Sequence, residues 1–299
     1  MNSEISIEQP KISLSAYFKL TKPSIIYLLA LTAATAMFLA DGFSLHLDRV
    51  LFGLLGIALI ASSSAVINQI LDAEIDGKME RTKRRPLVQG QISVRNASYF
   101  ASALLVLGTL ILFFFNNMLT LVLTLATWVF YAFFYTKVLK FSGVQNIVIG
   151  GIAGAMPPLL GWTAITNSID GLPLLLVLII FIWTPPHFWA LAINRKEDYT
   201  AANIPMMPVV KGVLYTKIQI ILYSLLLLCA SLFPFAVGYF GGLYFLGALA
   251  LNIVFVGLAV TSLLDKENKL SLPFFLYSIV YLTMLFILMA LDKLIPITL

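Results

Sequence analysis

Apolar residues in this chain come in long unbroken blocks, not at alternate or one-sided positions. Nine such stretches lie near 23–40, 50–71, 97–115, 118–135, 145–165, 172–194, 214–236, 241–263 and 272–291. A helix of about 20 apolar residues crosses a hydrocarbon core about 30 Å thick and satisfies its own backbone while doing so. The pattern predicts an all-α membrane protein with nine transmembrane helices. Residues 1–22, with Glu4 and Glu8 and no early apolar run, read as a short polar segment ahead of a single transmembrane domain over 23–299. They do not read as a signal or transit peptide.

The basic residues set an orientation. Taking every second connection, beginning with the N-terminal segment, gathers all of the 19 lysines and arginines except Arg49 and Lys293. Lys11, Lys19 and Lys22 precede the first span, and Lys78 to Arg95 follow the second. Lys137 and Lys140 follow the fourth, Arg195 to Lys217 the sixth, and Lys266 and Lys269 the eighth. The positive-inside rule then predicts a cytoplasmic N-terminus and a C-terminus outside. Composition agrees: 60% of residues are hydrophobic, 11% are charged, and mean hydropathy is +0.96. The pI near 9.2 does not imply nucleic acid, because the charge sits in short connections. One cysteine, Cys229, excludes a disulfide framework, and two histidines, His46 and His187, exclude a histidine-rich metal centre.

One connection carries distinctive chemistry. Asn68, Asp72 and Asp76 stand four residues apart at the end of the second span, so they share a helix face. Arg81, Lys83, Arg84 and Arg85 follow at once. Hard oxygen ligands beside fixed cations suit a magnesium–diphosphate group. Carboxylates at a helix C-terminus also oppose the helix dipole, by up to ~1 kcal/mol each, which favours a bound cation. Solvated carboxylates paired with Lys78 or Arg81, beside ordinary inner-loop cations, are the plainer account. The sixth span ends in a thinner echo, Asn194 and Asp198. That echo hints at two parallel four-helix halves plus a ninth helix.

Three other segments bear on a ligand. Tyr135, Lys137 and Lys140 bring a phenol and two ammonium groups to the same face, where they could hold diphosphate oxygens or anchor at the interface. The fifth span holds Gly150, Gly151, Gly154, Pro157, Pro158 and Gly161, which allow close packing and a kink, or an open groove for a long apolar ligand. His187 stands within the sixth span after Trp183, Pro185 and Pro186. It lies about 10 Å deeper than Asn194 at ~1.5 Å per residue. An ionisable residue at that depth is a functional candidate, although a neutral histidine bonded to a neighbouring helix is as plain an account.

These segments together carry a family resemblance. Asn68, Asp72 and Asp76, followed by Arg81 to Leu87, look like the first motif of the UbiA-type intramembrane prenyltransferases. The blocks Asn146 to Trp162, Trp183 to Ile193, Asp198–Tyr199, Ile204 to Val210 and Leu20 to Pro23 resemble, more narrowly, the branch that farnesylates heme. Phe141 and Asn203 depart from that pattern, which there often has a basic residue and a glycine. The resemblance implies helices around a central cavity in the bacterial cytoplasmic (inner) membrane. It implies farnesyl diphosphate and heme B as substrates, Mg²⁺ as cofactor, and heme O and diphosphate as products. It assigns metal binding to Asn68, Asp72, Asp76, Asn194 and Asp198, with Asn68, Asp72, Asp76 and Asp198 as the catalytic set. Diphosphate binding falls to Arg81, Lys83, Arg84, Arg85, Tyr135, Lys137 and Arg195, and heme binding to His187, Trp183 and Trp189. A downstream heme O-modifying enzyme or a terminal oxidase assembly is the partner it suggests.

Two alternatives compete. A sister enzyme would prenylate an aromatic or quinone precursor at the same metal site. A cation- or proton-coupled transporter would also use paired carboxylates, but these stand at a helix end and not at the midplane.

Overall fold

The computed structural model describes residues 13–41 and 47–295. Lys11, His46 and the rest of residues 1–12 lie outside the described residues. Among the described residues, the regular structure is entirely helical. A short α1 (Leu14–Leu20) precedes α2 (Pro23–Asp41), α3 (Leu47–Asp76) and α4 (Val94–Phe115). The fourth pass is α5 (Met118–Val129), a π-helical stretch over Phe130–Leu139 and α6 (Lys140–Ser142). The fifth is α7 (Asn146–Ala155) and α8 (Pro157–Thr166), and the sixth is α9 (Gly171–Asn194). Short α10 (Lys196–Ala201) and α11 (Met207–Val210) lead to α12 (Val213–Ala236), α13 (Gly242–Leu264) and α14 (Ser271–Leu294). Among the described residues, nine helical passes are long and apolar enough to cross a membrane, as the apolar blocks predict.

Local chemistry sets the boundaries. Ser93 caps α4 by accepting from the Asn96 amide, and Asn117 caps α5 by accepting from Thr120. Pro157 and Pro158 begin α8, since proline lacks the amide hydrogen a continuing helix needs. The fifth pass is therefore broken at Met156. Helix α9 runs straight through Pro185 and Pro186. The fourth pass continues seven residues beyond the apolar block ending at 135, because Phe130–Leu139 adopts π geometry. Asn203 takes a left-handed backbone (φ 53°), the conformation that glycine adopts most readily.

Six passes form a ring. Helices α2, α3, α5 with its π extension, α7/α8, α9 and α14 line one central cavity, with α4, α12 and α13 outside. The apolar core divides around it. One cluster joins Met37, Ile57, Leu112, Leu121 and Leu160, and another joins Leu176, Ile179, Phe255, Phe274 and Tyr281. Large apolar side chains such as Phe114, Leu246, Ile253 and Leu276 face outward, as a lipid-facing surface requires. Lipid gives helices no hydrophobic reason to associate, so buried polar pairs and small residues hold them together. Thr120 bonds Thr163 (2.9 Å), and Asn252 bonds Ser231 (2.8 Å) and Tyr281 (3.1 Å).

Gly161 gives the closest approach, with the Ala33 backbone of α2 occupying the space of a side chain. Gly161→Ala forces α2 and α8 apart and is expected to cost about 1–3 kcal/mol. Gly257 on α13 faces open space, so Gly257→Ala is expected to be neutral or slightly stabilising. Thermal unfolding of the two variants in detergent measures the difference.

Candidate active site

The cavity has a volume of about 800 Å³ and runs from an apolar interior to one polar end. That end is built where α3 finishes. Asn68, Asp72 and Asp76 lie on one face, each about 95% buried (4–5% exposed). Asn68 donates to Asp72 (2.9 Å), as the four-residue spacing predicts, and to the Thr136 hydroxyl (3.1 Å). Buried charges persist only when paired and hydrogen-bonded. Lys140 pairs with Asp72 at 2.8 Å, Arg85 pairs with Asp76, and Lys22 donates to the Asn68 side-chain Oδ1 at 2.7 Å.

Each cation is delivered by a specific local fold. Thr82 donates to the Asp76 carbonyl (2.9 Å), and the Arg85 amide donates to Thr82 (2.9 Å). The loop thus curls back over the end of α3. Met79 anchors it in a small cluster with Ile147, Tyr199, Ile204 and Met206. Lys22 sits at a left-handed backbone position (φ 53°) between α1 and α2. Burial, reinforced by Arg85 and opposed by Asp72 and Asp76, lowers its pKa to about 7. A π turn holds one residue more than an α turn, so the stretch Phe130–Leu139 shifts the register of everything after it. Lys140 therefore meets the cavity, while Lys137 faces outward beside the Phe133 ring.

Of the residues singled out from the sequence, Asn68, Asp72, Asp76, Arg81, Arg85, Tyr135, Trp183 and His187 line the cavity. The others do not. Lys83 pairs with Glu80 at 2.6 Å on the surface, and Arg84 lines a basic depression that adjoins the cavity and shares Lys19, Lys22, Arg81 and Arg85 with it. Arg195 and Asn194 are exposed. The expected Asn194–Asp198 face is absent because Arg195 leaves helical geometry (φ −115°, ψ 28°), and α10 starts afresh. Asp198 instead accepts from the Glu80 amide (3.4 Å), while its Oδ2 is buried with no partner. Trp189 is buried on the far side of α9, edge-on to Tyr223, away from the cavity. Sequence reasoning missed Lys22, Tyr131 and Tyr199 and preferred Lys137 to Lys140. The available signal was the Thr21–Lys22–Pro23 corner, where proline ends any preceding helix.

Deeper in the cavity, the His187 ring is stacked between Trp183 (centroids 4.3 Å apart) and Phe275 (4.5 Å). Its Nδ1 lies 2.6 Å from the Ser278 hydroxyl, and Trp183 Nε1 donates to the Ser278 carbonyl at 2.8 Å. The site therefore offers an anionic-ligand end rich in cations and hard oxygens, an apolar length, and one imidazole within it.

Residues 29–288 match the UbiA prenyltransferase family. A protoheme IX farnesyltransferase of Marinobacter nauticus is 50% identical over 94% of this chain and 93% of its own length. One from Hahella chejuensis is 48% identical over 95% of each. Among solved structures, a digeranylgeranylglyceryl phosphate synthase superposes with a TM-score of 0.75 at 18% identity, over 93% of this chain and 98% of that one. A UbiA homolog from Archaeoglobus fulgidus bound to GPP and Mg²⁺ gives 0.67 at 18% identity, over 92% and 99%. These two show a shared fold.

The position of Lys140 generates a discriminating test. Removing a charge-assisted contact to a phosphate oxygen costs about 1.5–3 kcal/mol, or roughly 10–100-fold in rate. Lys140→Met is expected to lose prenyl transfer by that factor, whereas Lys137→Met stays within about twofold of the parent. Product formation by the two variants in lipid nanodiscs decides the matter.

Proposed function

The chain belongs to the UbiA prenyltransferase family, and on that premise we propose that it transfers the farnesyl group of farnesyl diphosphate to a vinyl group of heme B, with addition of water, giving heme O and diphosphate. The observation that carries the proposal is the buried Asn68–Asp72–Asp76 face, met by Lys22, Arg85 and Lys140 at the end of an apolar cavity. The acceptor rests on the similarity to protoheme IX farnesyltransferases and on His187 farther along the same cavity.

The donor set fits Mg²⁺. This ion takes oxygen ligands and commonly uses one or two carboxylates together with substrate phosphates. Asp72, Asp76 and Asn68, which share one buried face of α3, would hold it. When bound, it acts as a Lewis acid that neutralises the leaving diphosphate.

The protein's own residues do the rest. Arg81, Arg85 and Lys140 face the phosphate oxygens, and a diphosphate beside Lys22 favours its charged form, so the charge developing as the allylic C–O bond breaks meets cations in a water-poor site. The farnesyl chain lies along the apolar wall, where Ile57, Ala61, Gly154 and Leu160 leave room for it. Aromatic faces at Tyr131, Tyr135 and Trp128 stabilise the allylic cation. The terminal vinyl carbon attacks this cation, forming the new C–C bond and moving the positive charge to the adjacent carbon. Water adds there and loses a proton, completing the hydroxyethylfarnesyl group. The polar end faces the cytoplasm of a bacterial inner membrane, because nearly all the basic residues lie on that side.

Expression in cells lacking heme O, followed by chromatography of extracted hemes, tests the reaction. The protein is expected to produce heme O, and a prenylated phenol in its place would favour the sister activity. Asp76→Asn is expected to reduce turnover at least ~100-fold, the scale for losing one group that stabilises developing charge. Chelation with EDTA is expected to abolish activity in membranes, and added Mg²⁺ to restore it.

A further inference from the structure

Ser278 has one hydroxyl hydrogen and two close partners. Its Oγ lies 2.6 Å from the Phe275 carbonyl oxygen and 2.6 Å from His187 Nδ1. Two oxygens at that separation need a proton between them, and a carbonyl cannot supply it. The hydroxyl hydrogen therefore points to Phe275, and Ser278 Oγ can only accept from His187. Nδ1 carries the imidazole proton, and the hydrogen bond fixes the tautomer.

The consequence falls on the other ring nitrogen. His187 lines the cavity wall, and its ring is clamped between Trp183 and Phe275, so it does not turn freely. Trp183 is itself tied to the Ser278 carbonyl at 2.8 Å. One residue of α14 thus fixes both the histidine and the ring stacked on it. Nε2 presents a lone pair to the cavity. A lone pair repels a carboxylate, so a heme propionate is not its partner. A metal accepts it, and metal-binding histidines characteristically donate their other N–H to an oxygen acceptor.

Resting on the proposed heme acceptor and on His187 as its contact, we propose that Ser278 is a positioning residue: it holds His187 in the tautomer whose free Nε2 can ligate the substrate heme iron. Ligation there would hold the macrocycle against the wall formed by α9 and α14. No covalent or redox step at the iron is required, because the iron serves as an anchor.

Heme B added to the protein in nanodiscs, reduced, and examined by resonance Raman spectroscopy tests this. The parent protein is expected to show an iron–histidine stretching band. His187→Ala is expected to lose it and to regain an iron–imidazole band when imidazole is added. Ser278→Ala is expected to shift the band to lower frequency and cut turnover about tenfold, while Ser278→Thr restores both. Farnesyl diphosphate binding by the same preparations reports that the variants are folded. An unchanged band in His187→Ala overturns the ligand assignment while leaving heme as the substrate. An unchanged band and rate in Ser278→Ala overturns the positioning role. No heme uptake by the parent protein overturns the heme acceptor itself, and the ligand assignment with it.

Discussion

Two carboxylates sealed at the end of an apolar cavity are the constraint around which this molecule is arranged. Asp72 and Asp76 lie on α3 almost out of reach of water, and an unpaired buried charge costs several kcal/mol. The chain meets that cost with cations from three distant segments. Lys22 comes from the corner before α2, Arg85 from the loop after α3, and Lys140 from the end of the π stretch. The Thr82 cap, the left-handed backbone at Lys22 and the π geometry of Phe130–Leu139 look unrelated in sequence. Each has the same effect, bringing a positive group to one small region.

That arrangement doubles as the chemistry. A site holding two carboxylates and several cations in balance takes up a diphosphate and a divalent ion together with little change in net charge. On the proposed function, the cations turn to phosphate oxygens and the carboxylates to the metal. Beyond this end the cavity is apolar, which excludes water while the allylic cation exists. The imidazole of His187 lies farther in, where it can meet the acceptor without competing for the diphosphate.

The fold was legible because nine apolar blocks each exceed what a soluble helix needs, and lipid leaves a polypeptide few other shapes. The face of Asn68, Asp72 and Asp76 was legible because a regular helix turns four-residue spacing into proximity. The places where reading failed are those where the helix is irregular. Arg195 breaks the helix, so Asn194 and Asp198 part company. The π stretch exchanges the roles of Lys137 and Lys140, and no residue type in it announces that geometry. Trp189 illustrates a different limit, since a helix hydrophobic all round does not reveal which side faces a cavity. Lys22 was visible as an inner-face cation within the Leu20–Pro23 block but with no role attached, because its position depends on a contact 46 residues away.

Metal binding tests the paired-charge site most directly. Mn²⁺ can replace Mg²⁺ and be followed by electron paramagnetic resonance, with a non-hydrolysable farnesyl thiodiphosphate as the second ligand. Asp72 and Asp76 are already paired with Lys140 and Arg85, so the metal alone must break ion pairs to enter. Mn²⁺ is therefore expected to bind weakly by itself and at least tenfold more tightly with the diphosphate analogue, with the gain lost in Asp72→Asn. Equal Mn²⁺ affinity with and without the analogue, or a gain that survives in Asp72→Asn, would contradict the account.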